Sequence, residues 1–313
     1  MARLDERQII SIFQKTLANK KFVSEDVEQF RVGRQTIVVK TDTLVSRTDV
    51  PPKMSLSDVA RKSVVACISD FASKGVMPSY CIISVSLPRQ FSRANIVKLA
   101  RGFRDASREF GFEILGGDTN EARDLVISVA MFGVTQRITH RSGARTGDVI
   151  IVTGPFGRTG AGLAVALHQK KADTKFAKTV RHAIYHASPR LRFGVAAARY
   201  MTSAMDSSDG LSTTLVEMST QSKKKFTITK IPMDAQLVQF ASANRLDVTD
   251  LVFNSGEEYE IVATVPQRHL SRVRQIAKRM QISMIEIGYV QKGAGVFLKD
   301  RPVKDRGWTH FRI

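Results

Sequence analysis

Five aspartates stand where apolar runs give way to loops or sit inside an apolar stretch. Asp42 follows the run IVVKT, Asp70 lies in CISDF, Asp118 follows ILGG, and Asp206 and Asp209 belong to AMDSSDG. Taken singly, each reads as a solvated turn residue or a helix cap, the commonest use of an aspartate at such a place. Asp70 fits that reading least, because its neighbours are apolar and a buried carboxylate without a partner is costly. Several carboxylates drawn to one point repel one another unless a cation lies between them, which points to a divalent metal. Mg2+ prefers oxygen ligands, keeps several waters and completes its shell with phosphates, so the chemistry suggested is that of a Mg2+ and nucleotide-phosphate centre. Gly116 and Gly117, just before Asp118, would let a backbone approach those phosphates with no Cβ in the way.

The stretch TGPFGRTGAG (153–162) is a second glycine-rich turn entering a helix, where free N–H groups can bind an anion. Packing glycines explain it better, since the chain has neither a GxxxxGKS/T P-loop nor a well-placed dinucleotide fingerprint. HExxH and GxSxG are absent and the six histidines are dispersed, so zinc and serine-nucleophile chemistry have no support. The single tryptophan, Trp308 in GWTHF, reads by default as an aromatic seal at a domain edge.

The elements that must position these groups alternate between helical and strand periodicity. The pattern predicts a helix over 5–18, a strand over 36–42 and a Pro-containing loop SRTDVPPKMS. Helical spacing over 57–74, capped by Ser57 or Asp58 and closed by Gly75, carries Asp70. Strands are predicted over 81–88, 112–118 and 124–135, with a helix over 92–110 between the first two. The Gly- and Arg-rich segment RSGARTGD (141–148) reads as a linker, placing a domain boundary near 140. Beyond it, strands are predicted at 149–154, 226–231, 258–265 and within 283–298, and helices from Phe156 and over 189–200 and 208–221.

Composition narrows the function classes. The 313 residues, 43% hydrophobic and 25% charged, suit one large or two smaller globular domains. The chain shows no run of about 18 apolar residues of the kind that spans a membrane, and MARLDERQII, with its early acids, reads as a helix beginning and not as a secretory signal. Cys67 and Cys81 make no CxxC pair, which fits reduced core thiols in a cytoplasmic protein. The net charge of +19 is compatible with nucleic acid, an anionic surface or phosphorylated ligands. The basic residues are scattered, however, and aromatic residues amount to only 7%, which leaves sequence-specific RNA recognition without a stacking platform.

In order along the chain, TDTLV (41–45), VARKSVVACISDFASKGVMP (59–78), GGDT (116–119), RSGARTGD (141–148), MDSSDGL (205–211), SGEEYE (255–260) and GWTHF (307–311) resemble the thiamine-monophosphate kinase family. That family belongs to the superfamily of ATP-using enzymes related to aminoimidazole ribonucleotide synthetase. The resemblance implies a two-domain, PurM-like α/β (α+β) fold. Residues 1–140 would form an ATP- and Mg2+-binding domain that pairs with a symmetry mate into a β-barrel-like dimer core. Residues 141–313 would form an α/β domain completing the nucleotide and substrate site.

It further implies metal ligation by Asp26, Asp42, Asp70, Asp118, Asp206 and Asp209, and nucleotide contacts from Gly116, Gly117, Asp118, Thr119, Arg141 and Ser208. Catalytic roles fall to Asp118, Arg141 and Asp209, and contacts to the thiamine side to Asp49, Glu258 and Trp308. The implied reaction transfers the γ-phosphoryl group of ATP to thiamine monophosphate. Two departures bear on the site. Where the family has a GDDAA-like motif this chain has Ser24-Glu25-Asp26-Val27, and Ser46 stands where relatives often carry Glu. The alternatives are a sister ATP-dependent enzyme, or a divergent, non-catalytic member that binds nucleotide or nucleic acid through its basic surface.

Overall fold

The computed structural model describes residues 4–18 and 22–311. Its first half runs α1 (Glu6–Leu17), β1 (Glu28–Val32), β2 (Gln35–Val45), the short α2 (Ser46–Asp49), α3 (Leu56–Lys74), β3 (Pro78–Leu87), α4 (Arg93–Phe110), β4 (Glu113–Glu121) and β5 (Val126–Thr135). The second half runs β6 (Val149–Val152), α5 (Arg158–His168), α6 (Thr174–Tyr185), α7 (Leu191–Ala197), β7 (Ser203–Asp206), α8 (Leu211–Ser222) and β8 (Lys225–Ile228). It ends with α9 (Ala235–Ala243), α10 (Val248–Asn254), β9 (Ile261–Val265), α11 (Gln267–Arg279), β10 (Ile285–Gln291), β11 (Gly295–Leu298) and β12 (Arg301–Pro302).

The strands form two sheets, ordered β1-β2-β5-β3-β4 and β12-β11-β8-β10-β6-β9-β7. In the first, β3 and β4 pair in parallel and the remaining neighbours are antiparallel. Strict alternation along β5 turns Ile127, Val129 and Met131 inward. The opposite face of this sheet leaves Tyr80, Ile82 and Leu115 exposed.

Helix α3 is the axis of the molecule. It packs on β2 and β5 of the first sheet and on β7 and β9 of the second, and every residue from Cys67 to Lys74 is buried. A helix covered on all sides has no polar face to spare, so its few polar residues inside that run have specific partners. The helix starts one residue earlier than the spacing predicts: Ser55, not Ser57 or Asp58, is its N-cap, with its Oγ accepting from the Asp58 N–H. Gly75 closes it in the left-handed conformation, as predicted. Strands β1 and β7 and helices α6, α9, α10 and α11 lie in segments to which the sequence reading assigned no element.

Candidate active site

A cleft of about 680 Å3 opens between the two sheets. One helical face supplies its floor, since Lys62, Ser63, Ala66 and Asp70 recur along α3 at spacings of three and four and all line it. Asp42 comes from β2, Asp206 from the end of β7, and Ser208 and Asp209 from the turn before α8. Asp26, from the loop ahead of β1, joins them.

Asp26, Asp70 and Asp206 are all buried, and each offers a carboxylate oxygen within 4.8 Å of the others. Three hard oxygen donors at that spacing fit a divalent cation such as Mg2+. Burial and like charge set the protonation of these acids. Burial, aggravated by Asp26, pushes Asp206 up to about 6, against the Ser69 hydroxyl that donates to its Oδ2 at 2.7 Å. Burial also drives Asp70 well above the usual carboxylate range, against the pull of Lys40. Asp209 rises to about 6 through burial and its neighbour Asp206, and Asp42 is raised mainly by burial.

Asp26 behaves in the opposite sense. Burial works to raise it, but Lys74 and Arg141 outweigh that and hold it near 2. Arg141 grips Asp26 through Nε, at 2.7 Å, and Nη2. Lys74, wholly buried, places its Nζ 2.7 Å from both Asp26 and Glu25 and donates to the Ala204 carbonyl at 3.0 Å. Glu25 also accepts from the Arg141 N–H at 3.0 Å and lies 3.0 Å from His140 Nδ1. The altered Ser24-Glu25-Asp26 motif therefore still delivers a carboxylate to the cluster, with two cations built around it. The fork of Arg141, expected on a phosphate, is occupied by Asp26.

Asp118 does not reach this cluster within one chain. By register it aligns with Ser84, then Ser128, then Thr43, which puts it three strands from Asp42, about 14 Å at ordinary strand spacing. It lies with Gly116, Gly117 and Thr119 on the exposed edge strand β4. Gly117 has a structural reason of its own: a Cβ there would sit 1.7 Å from the Ile83 carbonyl oxygen, beside the bulge in the β3–β4 pairing.

On the other side of the cleft, Asp49 and Trp308 line the wall, and Asp49 Oδ2 accepts from the Val45 N–H at 2.7 Å. Glu258 points elsewhere. It is buried, and its Oε1 accepts from the N–H groups of Gly157 and Thr159 and from the Thr159 hydroxyl. The anion at the N-terminus of α5 is thus an internal carboxylate, so TGPFGRTGAG is filled from within, and Gly160 packs so closely that a Cβ would meet Ser255 Oγ at 2.0 Å. Burial pushes Glu258 up to about 7 despite those bonds.

The side chain that does face the cleft is Glu257, held by Lys62. Both Glu257 and Tyr259 have left-handed backbone, pinned by hydrogen bonds from their N–H groups to the Ser208 and Ser207 carbonyls. Sequence reasoning missed Lys40, Lys74 and Glu257. For Lys40 a signal existed, because in IVVKTD it stands two residues from Asp42 and so on the same face of the strand.

Comparison with known proteins accords with this geometry. The family described as AIR synthase related protein, N-terminal domain, matches residues 24–135, and its C-terminal domain counterpart matches 145–301. The thiamine-monophosphate kinase of Nitrosopumilus maritimus is 52% identical over 316 residues, covering 100% of both chains. That of Pyrococcus horikoshii is 30% identical, covering 100% of this chain and 98% of its own. The solved structure of AaThiL complexed with AMPPCP and TMP superposes with a TM-score of 0.89 at 25% identity, covering 99% of each chain. With both AIR synthase-related domains in order and a full-length relative at this identity, the chain belongs to the thiamine-monophosphate kinase family.

Proposed function

We propose that this chain transfers the γ-phosphoryl group of ATP to the phosphate of thiamine monophosphate, giving thiamine diphosphate and ADP, in the cleft between the two sheets. The observation that carries this reading is the convergence of Asp26, Asp70 and Asp206 on one point, in a chain 52% identical to a thiamine-monophosphate kinase. Mg2+ held by these acids, with Asp42 and Asp209 alongside, would neutralise phosphate charge and fix the transferred group.

The acceptor is already an anion, so no strong general base is required, and alignment with charge neutralisation suffices. Arg141 contributes by fixing Asp26, and Ser208 and Asp209, lining the cleft from the turn before α8, would face the nucleotide phosphates. The half-exposed Trp308 ring, which lines the cleft as Asp49 and Glu257 do, suits a flat, cationic thiamine moiety. In this reading residues 1–140 bring Asp26, Asp42 and Asp70, and residues 141–313 bring Asp206 and Asp209 and complete the pocket. The chain works in the cytoplasm, as its two buried free cysteines suit.

Asp118, Gly116, Gly117 and Thr119 enter as residues given to a second copy. Their exposed edge strand, beside the uncovered apolar Tyr80, Ile82 and Leu115, suits a symmetric pairing of first sheets that carries Asp118 of one protomer to the cleft of its partner. Incubating the purified chain with ATP, Mg2+ and thiamine monophosphate should yield thiamine diphosphate. No diphosphate over a range of Mg2+ and salt, beside a working kinase, would refute the assignment.

A further inference from the structure

The cleft contains a cation of its own. Lys40 and Asp42 are two residues apart on β2 and project to the same face. The Lys40 ammonium lies 2.8 Å from Asp70 Oδ2 and 3.9 Å from Asp42 Oδ2. It therefore sits between carboxylates delivered by two different elements, a strand and a helix. Asp70 also meets Asp26 and Asp206, where one carboxylate oxygen of each residue converges. The lysine is neither a surface residue nor a snorkelling one: its side chain is 24% exposed and lines the cleft.

Charge balance gives the arrangement its meaning. Asp26 already has Lys74 and Arg141 as counter-charges, whereas Asp42 and Asp70 have Lys40 alone among the described cations that pair with them. A tethered ammonium supplies one positive charge without the cost of stripping water from Mg2+, an ion that dehydrates reluctantly. It leaves the Asp26–Asp70–Asp206 side for a divalent ion.

We propose that Lys40 is a resident cation that takes the place of one divalent ion between Asp42 and Asp70, so that the loaded site holds one metal ion fewer than the carboxylates alone would bind. This rests on the reading that the acid cluster binds divalent metal, and it deepens that reading by naming where metal is replaced. Lys40 is in this sense a positioning residue, holding Asp42 and Asp70 in register for the ions that do bind.

The test is a count of ions. Mn2+ binding to the full chain with a non-hydrolysable ATP analogue, followed by electron paramagnetic resonance, gives the stoichiometry for wild type, Lys40→Ser and Lys40→Arg. We expect Lys40→Ser to bind one more Mn2+ per chain than wild type and Lys40→Arg to match wild type. Equal counts for wild type and Lys40→Ser, with Mn2+ bound to both, overturn the proposal while leaving the metal reading intact. No Mn2+ on wild type or on either variant overturns both.

A second measurement needs no variant. In wild-type crystals grown with Mn2+ and the same analogue, anomalous scattering should show no ion between Asp42 and Asp70, with Lys40 still against Asp70. An ion seated there with Lys40 displaced refutes the proposal.

Discussion

The cluster residues and the buried Glu258 differ in what a substitution should do. Asp206→Asn removes a ligand from the three-acid centre while keeping an oxygen for the Ser69 hydroxyl. It should lower kcat by more than about a hundredfold, as loss of a transition-state charge contact does, and should abolish the rise in melting temperature that Mg2+ gives wild type. Calorimetry with and without Mg2+ checks the second effect separately from turnover.

For Glu258→Gln the expectation is unchanged KM for thiamine monophosphate, because Glu258 faces α5 and not the cleft. Its effect is on stability. The folded pKa, about 7, lies above the model-peptide value of 4.5, so the folded state holds its proton more tightly than the unfolded chain. Stability from this group is complete below about 4.5 and is lost as pH rises through about 7, by up to roughly 3 kcal/mol at 1.36 kcal/mol per pH unit. Denaturation of the Gln variant between these pH values should lack that slope. Trp308→Ala, by contrast, should raise KM for thiamine monophosphate about tenfold, roughly 1.4 kcal/mol of lost ring contact, with the melting temperature little changed.

Among the elements, α3 links the acid cluster to the core. Lys74 is one turn beyond Asp70 and holds Glu25 and Asp26 from a wholly buried position. Lys74→Met leaves two buried carboxylates short of their counter-charge, and breaking a buried pair in this way costs about 3–5 kcal/mol. Urea denaturation should show a loss of that size, and a loss below about 1 kcal/mol would mean that His140 and Arg141 suffice. On the first sheet, Gly117→Ala forces a Cβ onto the Ile83 carbonyl. The β3–β4 pairing should then weaken by about 1–3 kcal/mol, which reads in amide exchange along β4 before it reads in α3.

At the scale of the whole molecule, Asp118 serves the cleft only if two copies combine. Asp118→Asn and Asp206→Asn should each be inactive alone. Mixed and refolded together they should recover roughly a quarter of wild-type activity, because random pairing makes half the dimers mixed and each mixed dimer has one intact site. No recovery, with dimers shown by sedimentation, would place Asp118 outside the mechanism. The net charge of +19 gives no comparable argument for a nucleic-acid partner, since a scattered charge specifies solubility and long-range attraction but no site.

Residue type and spacing alone determined the alternation of helices and strands and the acids worth watching, while the resemblance of seven short motifs pointed to the family. These are local properties, written in periodicity and in residue order. Elements with weak, exposed or very short patterns escaped: β1 is exposed along its whole length, the buried β7 spans only four residues, and α11 carries only Leu270, Val273 and Ala277 as a buried stripe. Tertiary structure decided which aspartates meet. Asp26, Asp70 and Asp206 are far apart in sequence yet share one point, because α3 is clasped between two sheets. Asp118, equally conspicuous in sequence, is held three strands away by register. The choice between Glu257 and Glu258 turned on left-handed backbone in a loop, and the role of Lys40 on two carboxylates from separate elements. Neither is encoded in residue spacing, because both depend on distances that exist only after the core has packed.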